Sequence, residues 1–164
     1  IDAAIILKKS LSNFKFIIIG DGRDKKRVVD RINKLSLSDN FSFLGSYPPT
    51  DMPDFFACAD ALLVSLKDTE IFSMTIPGKL QSYLACGKPI IASLNGIGAK
   101  IITESKSGFV SKSEDSDGLA KSIIRFSNLN DSQKVQFGEN ARHYFTKEFE
   151  RTKLLQRLID IFEK

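Results

Sequence analysis

The 164-residue sequence has no tryptophan, one histidine, two cysteines and only short apolar runs. The lone His143 lies in a polar helical stretch, which nearly excludes a histidine-bound metal or a Ser-His-Asp triad within this chain. Cys58 and Cys86 fall in apolar segments without metal-like spacing, and a domain of this size needs no disulfide, so both read as reduced core thiols. Runs such as FIIIG and ALLVSL are far shorter than the ~20 residues of a membrane-spanning helix. No basic-then-apolar leader opens the chain, so neither a span nor an export signal is expected. Charge of one sign is also scarce. The formal net charge is +4, and the cations are interleaved with acids, as in GDGRDKKRVVDR and SKSEDSDG. That balance argues against nucleic-acid binding and leaves room for a small anionic ligand or weak attraction to an acidic membrane surface.

What is present is the profile of one ordinary soluble domain, 42% hydrophobic and 27% charged, near the size at which one core buries roughly 70% of the unfolded surface. Short apolar runs alternate with longer amphipathic ones, the mark of repeated βα units and a mostly parallel sheet flanked by helices. The pattern predicts strands at 15–19, 41–44, 61–65, 89–92 and 108–110. It predicts helices at 24–35, 50–58, 78–85, 99–104, 116–126, 131–146 and 148–162. Thr50, Asp51 and Asp131 are candidate helix caps, and Gly87 follows SYLAC where a left-handed helix ending favours glycine. In the last helix Leu154, Leu155, Leu158, Ile159 and Phe162 share a face, expected to pack on the sheet or on a neighbouring domain. The opening IDAAIILKK already reads as a helix interior, so the chain is expected to be a domain cut from a longer protein.

Three glycine-bearing turns stand between predicted strands and helices. In FIIIGDGRDKK, Gly20 and Gly22 lack the third glycine of a dinucleotide fingerprint and read first as a tight βα turn. Gly96 and Gly98 are equally ambiguous. IPGKLQSYLACGKPIIAS says more: Pro77 suits a helix start, Gly78 lets a ligand approach the backbone, and Lys79 adds a full charge beside free N–H groups. These properties suit a diphosphate, although the same letters also serve a plain helix start. In an open parallel sheet, ligands settle beyond the carboxyl ends of the strands. The loops GDG, GSYPPTD, LKDTEIFSMTIPGK and LNGIG follow successive strands, so one shared cleft edge is expected.

The segments FKFIIIGDG, FSFLGSYPPTDMPDFFACADALLVSLKD, IPGKLQSYLACGKPIIAS and SGFVSKSEDSDGLAKSI resemble, in that order, the C-terminal donor-binding half of glycosyltransferase family 4, over nearly the whole chain. The Pro-small-Lys helix start ahead of Cys-Gly-Lys-Pro resembles the branch related to bacterial N-acetylfucosamine transferases of polysaccharide assembly. The resemblance implies a GT-B architecture of two Rossmann-like domains, the C-terminal one binding a nucleotide sugar, with retention at the anomeric carbon and no catalytic metal or other cofactor. It assigns Ser46 and Tyr47 to the base-contacting loop and residues 70–79 to the sugar and diphosphate segment. The sequence departs from the family where two glutamates are common: Met74 and Ser82 stand there. Ser82 would make only a short hydrogen bond to ribose, and the neighbouring Glu70 reads first as a solvated loop acid.

The resemblance thus implies that residues 1–164 are a donor domain truncated at its N-terminus, with the acceptor domain and the catalytic groups elsewhere, so that the piece alone is inactive. The expected partners are a nucleotide sugar, most simply a UDP-linked N-acetyl sugar, and the protein's own N-terminal domain. The expected location is the cytoplasm of a bacterium, with peripheral association at the inner face of the membrane left open. The ligand-facing candidates are Gly20, Gly22, Ser46, Tyr47, Glu70, Pro77, Gly78, Lys79 and Ser82. Two alternatives keep the fold: a nucleotide-sugar 2-epimerase or glycogen-synthase-like enzyme, whose catalytic residues the chain barely offers, and a non-catalytic Rossmann-like interaction module.

Overall fold

Apolar runs of four or five residues form the strands, and every strand pairing is parallel. The computed structural model describes residues 1–163. In chain order it runs α1 (Asp2–Ser10), β1 (Phe16–Ile19), α2 (Lys25–Lys34), β2 (Phe41–Gly45), α3 (Met52–Ala57), β3 (Leu62–Ser65), α4 (Glu70–Met74) and α5 (Gly78–Cys86). There follow β4 (Ile90–Ser93), α6 (Gly96–Ser105), β5 (Gly108–Ser111), α7 (Ser116–Ser127), α8 (Asp131–Glu148) and α9 (Arg151–Phe162). Parallel neighbours need a crossover, which helices supply. The expected α/β alternation is therefore present, but two sheets carry it, β1-β2 and β3-β4-β5. Periodicity reports that strands are separated by helices; it does not report where a ladder is interrupted.

The described residues divide into two compact units, the first ending at Asp54 and the second beginning at Phe55. Each has its own core. In the first, Ala4, Ile32 and Leu37 are buried among Phe14, Phe16, Phe41 and Phe43. Phe16 lies opposite Phe41 in the parallel register, and their rings stack with centroids 5.1 Å apart. In the second, Val64, Leu80, Leu84, Ile90, Ala92, Leu94, Ile101 and Ile102 form the core. All four residues of β4 are buried, as befits the middle strand, whereas β3 at the edge alternates buried and exposed.

α5 shows how local and tertiary signals agree. Leu80 and Leu84, one turn apart on its inner face, are fully buried, each burial stabilising the fold by about 1.5–3 kcal/mol. Gly87 ends the helix in the left-handed conformation, φ 64° and ψ 40°. Arg142 of α8 then donates through Nη1 to the carbonyl of Ala85 at 2.6 Å, satisfying an acceptor at the C-terminal end of α5.

Several expectations change in detail. Thr50 and Asp51 do not cap α3; they lie in a 3-10 turn, Pro49–Asp51, where Thr50 donates to the Asp51 carboxylate. The cap of α8 is Asn130, which closes a capping box with Gln133, so Asp131 is the first helical residue. Cys58 is exposed just beyond α3, where the chain turns toward β3, so it is no core thiol; Cys86 is half-buried, and neither is in a disulfide. α9 does not pack on a sheet: all its residues are exposed, and its ties to α8 are polar, with Lys153 donating to the Thr146 carbonyl and Arg157 pairing with Glu148. Among the described residues no helix is long and apolar enough to cross a membrane.

Candidate anion-binding site

Each unit carries its predicted residues at the carboxyl ends of its own strands. In the first unit, Gly20 donates to the carbonyl of Gly45 at 2.7 Å, so the turns after β1 and β2 begin side by side, with Ser46 and Tyr47 exposed on the second. Gly22 donates to its neighbour Asp21 at 2.9 Å, and a Cβ on either Gly20 or Gly22 would meet nothing within 4 Å. The backbone there is open to a ligand.

In the second unit Glu70 and Pro77 lie between β3 and α5, Gly78 and Lys79 open α5, and Ser82 follows one turn further on. Thr69 caps the short α4 by accepting from the Phe72 amide at 3.3 Å, which leaves Glu70 as the first helical residue, where a carboxylate complements the helix dipole. Glu70 is exposed, as a solvated acid should be. Pro77 occupies the cap of α5 and makes no side-chain cap bond. Its carbonyl accepts from Leu80 at 2.9 Å. The amides of Gly78 and Lys79 therefore open the helix without a carbonyl one turn earlier to accept from them. A Cβ on Gly78 would meet nothing within 4 Å, and Lys79 is exposed with no hydrogen-bond or ion-pair partner among the described residues. Two amide donors, the positive end of a nine-residue helix and an exposed, uncommitted lysine thus belong to one helix start.

Two clefts differ in chemistry. A groove of about 490 Å³ runs along α2 and is lined by Arg23, Lys26, Arg27, Asp30, Arg31 and Lys34. Arg27 and Arg31 there are committed to Asp24 and Asp2, so the groove is the solvated flank of a helix. A smaller cleft of about 270 Å³ lies beyond the ends of β3 and β4, lined by Ser65, Leu66, Lys67, Ser93 and Glu114. Beside Glu114 in the chain, the Ser113 hydroxyl is buried without a partner. No group of three His, Cys, Asp or Glu residues is placed to hold a metal among the described residues. Tyr83, on the flank of α5, meets Phe56 edge to face at 5.1 Å, and burial pushes its phenol above the usual value.

Sequence reasoning missed Asn95. It stands in the cap position of α6, which begins three residues before the expected helix, but its side chain makes no cap bond. It donates instead to Asp68 in the turn after β3 and accepts from the Ser113 amide after β5.

The fold recurs in known proteins. Over 98% of its length the chain superposes on HepE of Anabaena, solved in complex with UDP, with a TM-score of 0.82 at 20% identity, covering 44% of that chain. The fold is thus the Rossmann-like α/β fold of the C-terminal half of a GT-B glycosyltransferase. The chain is 27% identical over its full length to the amylovoran biosynthesis glycosyltransferase AmsK of Erwinia amylovora, covering 40% of it. It is 25% identical over 90% of its length to the N-acetyl-alpha-D-glucosaminyl L-malate synthase of Bacillus anthracis, covering 37% of it. The chain spans about two fifths of the length of these relatives. Residues 1–144, both strand-end clusters included, match the family described as glycosyl transferases group 1, and the chain belongs to that family.

Proposed function

We propose that the chain is the donor-binding half of a retaining glycosyltransferase. In this reading the whole enzyme moves a sugar from a nucleotide sugar, a UDP-linked N-acetyl sugar, to a glycan or lipid-linked acceptor in bacterial surface polysaccharide synthesis. The observation that carries the proposal is the uncovered start of α5, where Gly78 is open and Lys79 is uncommitted. The amides and Lys79 would offset the charge that builds on the diphosphate as it leaves the sugar, which is electrostatic stabilisation without proton transfer from this unit. HepE, which shares the fold, was solved with UDP, and AmsK is named for a polysaccharide pathway; both support this choice of donor and product. The likeness of the Pro-Gly-Lys start to N-acetylfucosamine transferases supplies the N-acetyl sugar. Acceptor binding and the catalytic groups belong to the remainder of the enzyme, which works in the cytoplasm at the inner face of the membrane, and residues 1–164 alone are inactive.

The test is calorimetric titration of UDP into the full-length protein at low salt. A charge-assisted contact contributes about 1.5–3 kcal/mol, so Lys79→Ala should weaken UDP about tenfold or more. Equal affinity in the variant removes Lys79 from the site. Absence of saturable binding of any nucleoside diphosphate to the parent favours the interaction-module reading. Transfer by residues 1–164 alone would overturn the assignment of catalysis to the rest of the protein.

A further inference from the structure

The segment from Leu66 to Pro77, which leads into the start of α5, rests on the core only near its ends, through Leu66 and Ile76. Residues 67–72 are exposed and α4 contains no buried residue. Between those ends the segment is held by the turn that opens α6. Asn95 Nδ2 donates to Asp68 Oδ1 at 2.9 Å. Gly96, at φ +70°, lies so close to α4 that a Cβ there would sit 1.9 Å from the Ser73 carbonyl oxygen. A Cβ on the buried Gly98 would lie 3.5 Å from the Pro77 ring. The start of α6 therefore meets the segment near its beginning, its middle and its end.

Asn95 also reaches the opposite way, where its Oδ1 accepts from the Ser113 amide at 3.2 Å. A carboxylate only accepts and a backbone N–H only donates, so these two partners fix the orientation of the side-chain amide. An asparagine in this position ordinarily caps its helix through its side-chain oxygen. Here that bond is forgone, and the turns after β3, β4 and β5 are tied together instead.

We propose that Asn95 is a positioning residue of the diphosphate site. It clamps the segment after β3 between α6 and the turn after β5, and so holds Gly78 and Lys79 in the arrangement that leaves their amides uncovered. The inference rests on the reading of that helix start as a nucleoside diphosphate site.

The experiment compares the full-length parent with Asn95→Ala, Asn95→Asp, Asp68→Ala and the exchange variant Asp68→Asn/Asn95→Asp. Asn95→Asp sets two carboxylates against each other. The exchange variant restores one donor and one acceptor across the pair and keeps an oxygen for the Ser113 amide. Asp68→Ala removes the same bond from an exposed residue, so the question stays answerable if the Asn95→Ala chain does not fold. The first readout needs no ligand: amide hydrogen exchange across residues 66–79, with β4 as the folded reference. A hydrogen bond of this kind contributes about 0.5–1.5 kcal/mol, so the single variants should exchange about three- to tenfold faster in this segment only, and the exchange variant should recover. The second readout is UDP affinity, expected to weaken about three- to tenfold in the single variants and to return in the exchange variant. Unchanged segment exchange, or no recovery in the exchange variant, overturns the clamp. A parent that binds UDP alongside an Asn95→Ala protein of equal affinity overturns the positioning role and leaves the functional reading standing. A parent that does not bind UDP overturns the functional reading itself, and the positioning role with it.

Discussion

Ser82 Oγ donates to the Gly78 carbonyl oxygen across one turn of α5, at 3.3 Å. The hydroxyl proton is thereby committed to the helix that opens the proposed site, and only the oxygen lone pairs remain for a ligand. A ribose hydroxyl could still donate to them, in one short contact where the family resemblance implies a longer glutamate. Ser82→Ala should therefore weaken UDP only about two- to fivefold, less than Lys79→Ala, because a neutral hydrogen bond contributes about 0.5–1 kcal/mol. It should also reduce the preference for UDP over its 2′-deoxy analogue. Calorimetry with both nucleotides checks this; an undiminished preference removes Ser82 from the ribose.

Gly96 marks where backbone approaches backbone. The nearest atoms to a Cβ there are the carbonyl and Cα of Ser73, which cannot swing aside as a side chain would. Gly96→Ala combines that overlap with a residue forced to φ +70°, so it should destabilise the protein by about 2–4 kcal/mol. Urea unfolding of the full-length protein measures the loss. UDP affinity should fall as well, since relief of the clash displaces α4 and the segment leading to Gly78.

The residues that could be read from sequence are those whose signals are local. Pro77, Gly78 and Lys79 announce a helix start, Gly87 its end, and the unbroken apolar run of β4 a strand, because each follows from backbone sterics or burial at that point in the chain. α4 was invisible: a five-residue helix with no buried face leaves no periodic trace. Asn95 went unnoticed for the opposite reason. Its local signal is that of a cap, and the partners that outcompete the cap, Asp68 and Ser113, lie on other loops and are supplied only by the tertiary fold. The apolar stripe of α9 was correctly seen, but a stripe states that a face wants cover and not what covers it. Cys58 shows the same limit, since an apolar neighbourhood in sequence did not keep it from a turn at the surface.

Lys88 belongs to the Cys-Gly-Lys-Pro signature, and its place in the structure gives that lysine a structural task. Its ammonium donates to the carbonyls of Ala57 at 2.6 Å and Ala59 at 3.0 Å, closing the C-terminal end of α3 where carbonyls lack helical partners. Lys88→Met keeps most of the aliphatic stem and removes both charged donors. Stability should fall by about 1.5–3 kcal/mol, the range for hydrogen bonds to a charged group. UDP affinity should be unchanged within twofold once the protein is folded, and urea titration with calorimetry separates the two.

Tyr83 supplies a pH dependence whose sign follows from its burial. Burial disfavours the phenolate, so the folded state holds the proton more tightly than the unfolded chain, whose tyrosine titrates near about 10. The stabilisation is then fully present below about pH 10 and is lost as pH rises through the folded value. Tyr144 is shifted the same way, by burial and by Glu104 and Glu148, and the Cys86 thiol is raised by burial against an opposing pull from Arg142, so all three groups draw stability down in alkali. The Tyr83 hydroxyl has no hydrogen-bond partner among the described residues, and its ring packs against Phe56. Tyr83→Phe should therefore keep the neutral-pH urea midpoint and fall less steeply between about pH 9 and 11 than the parent. An alkaline limb identical to the parent's would assign the loss to Tyr144 and Cys86 alone.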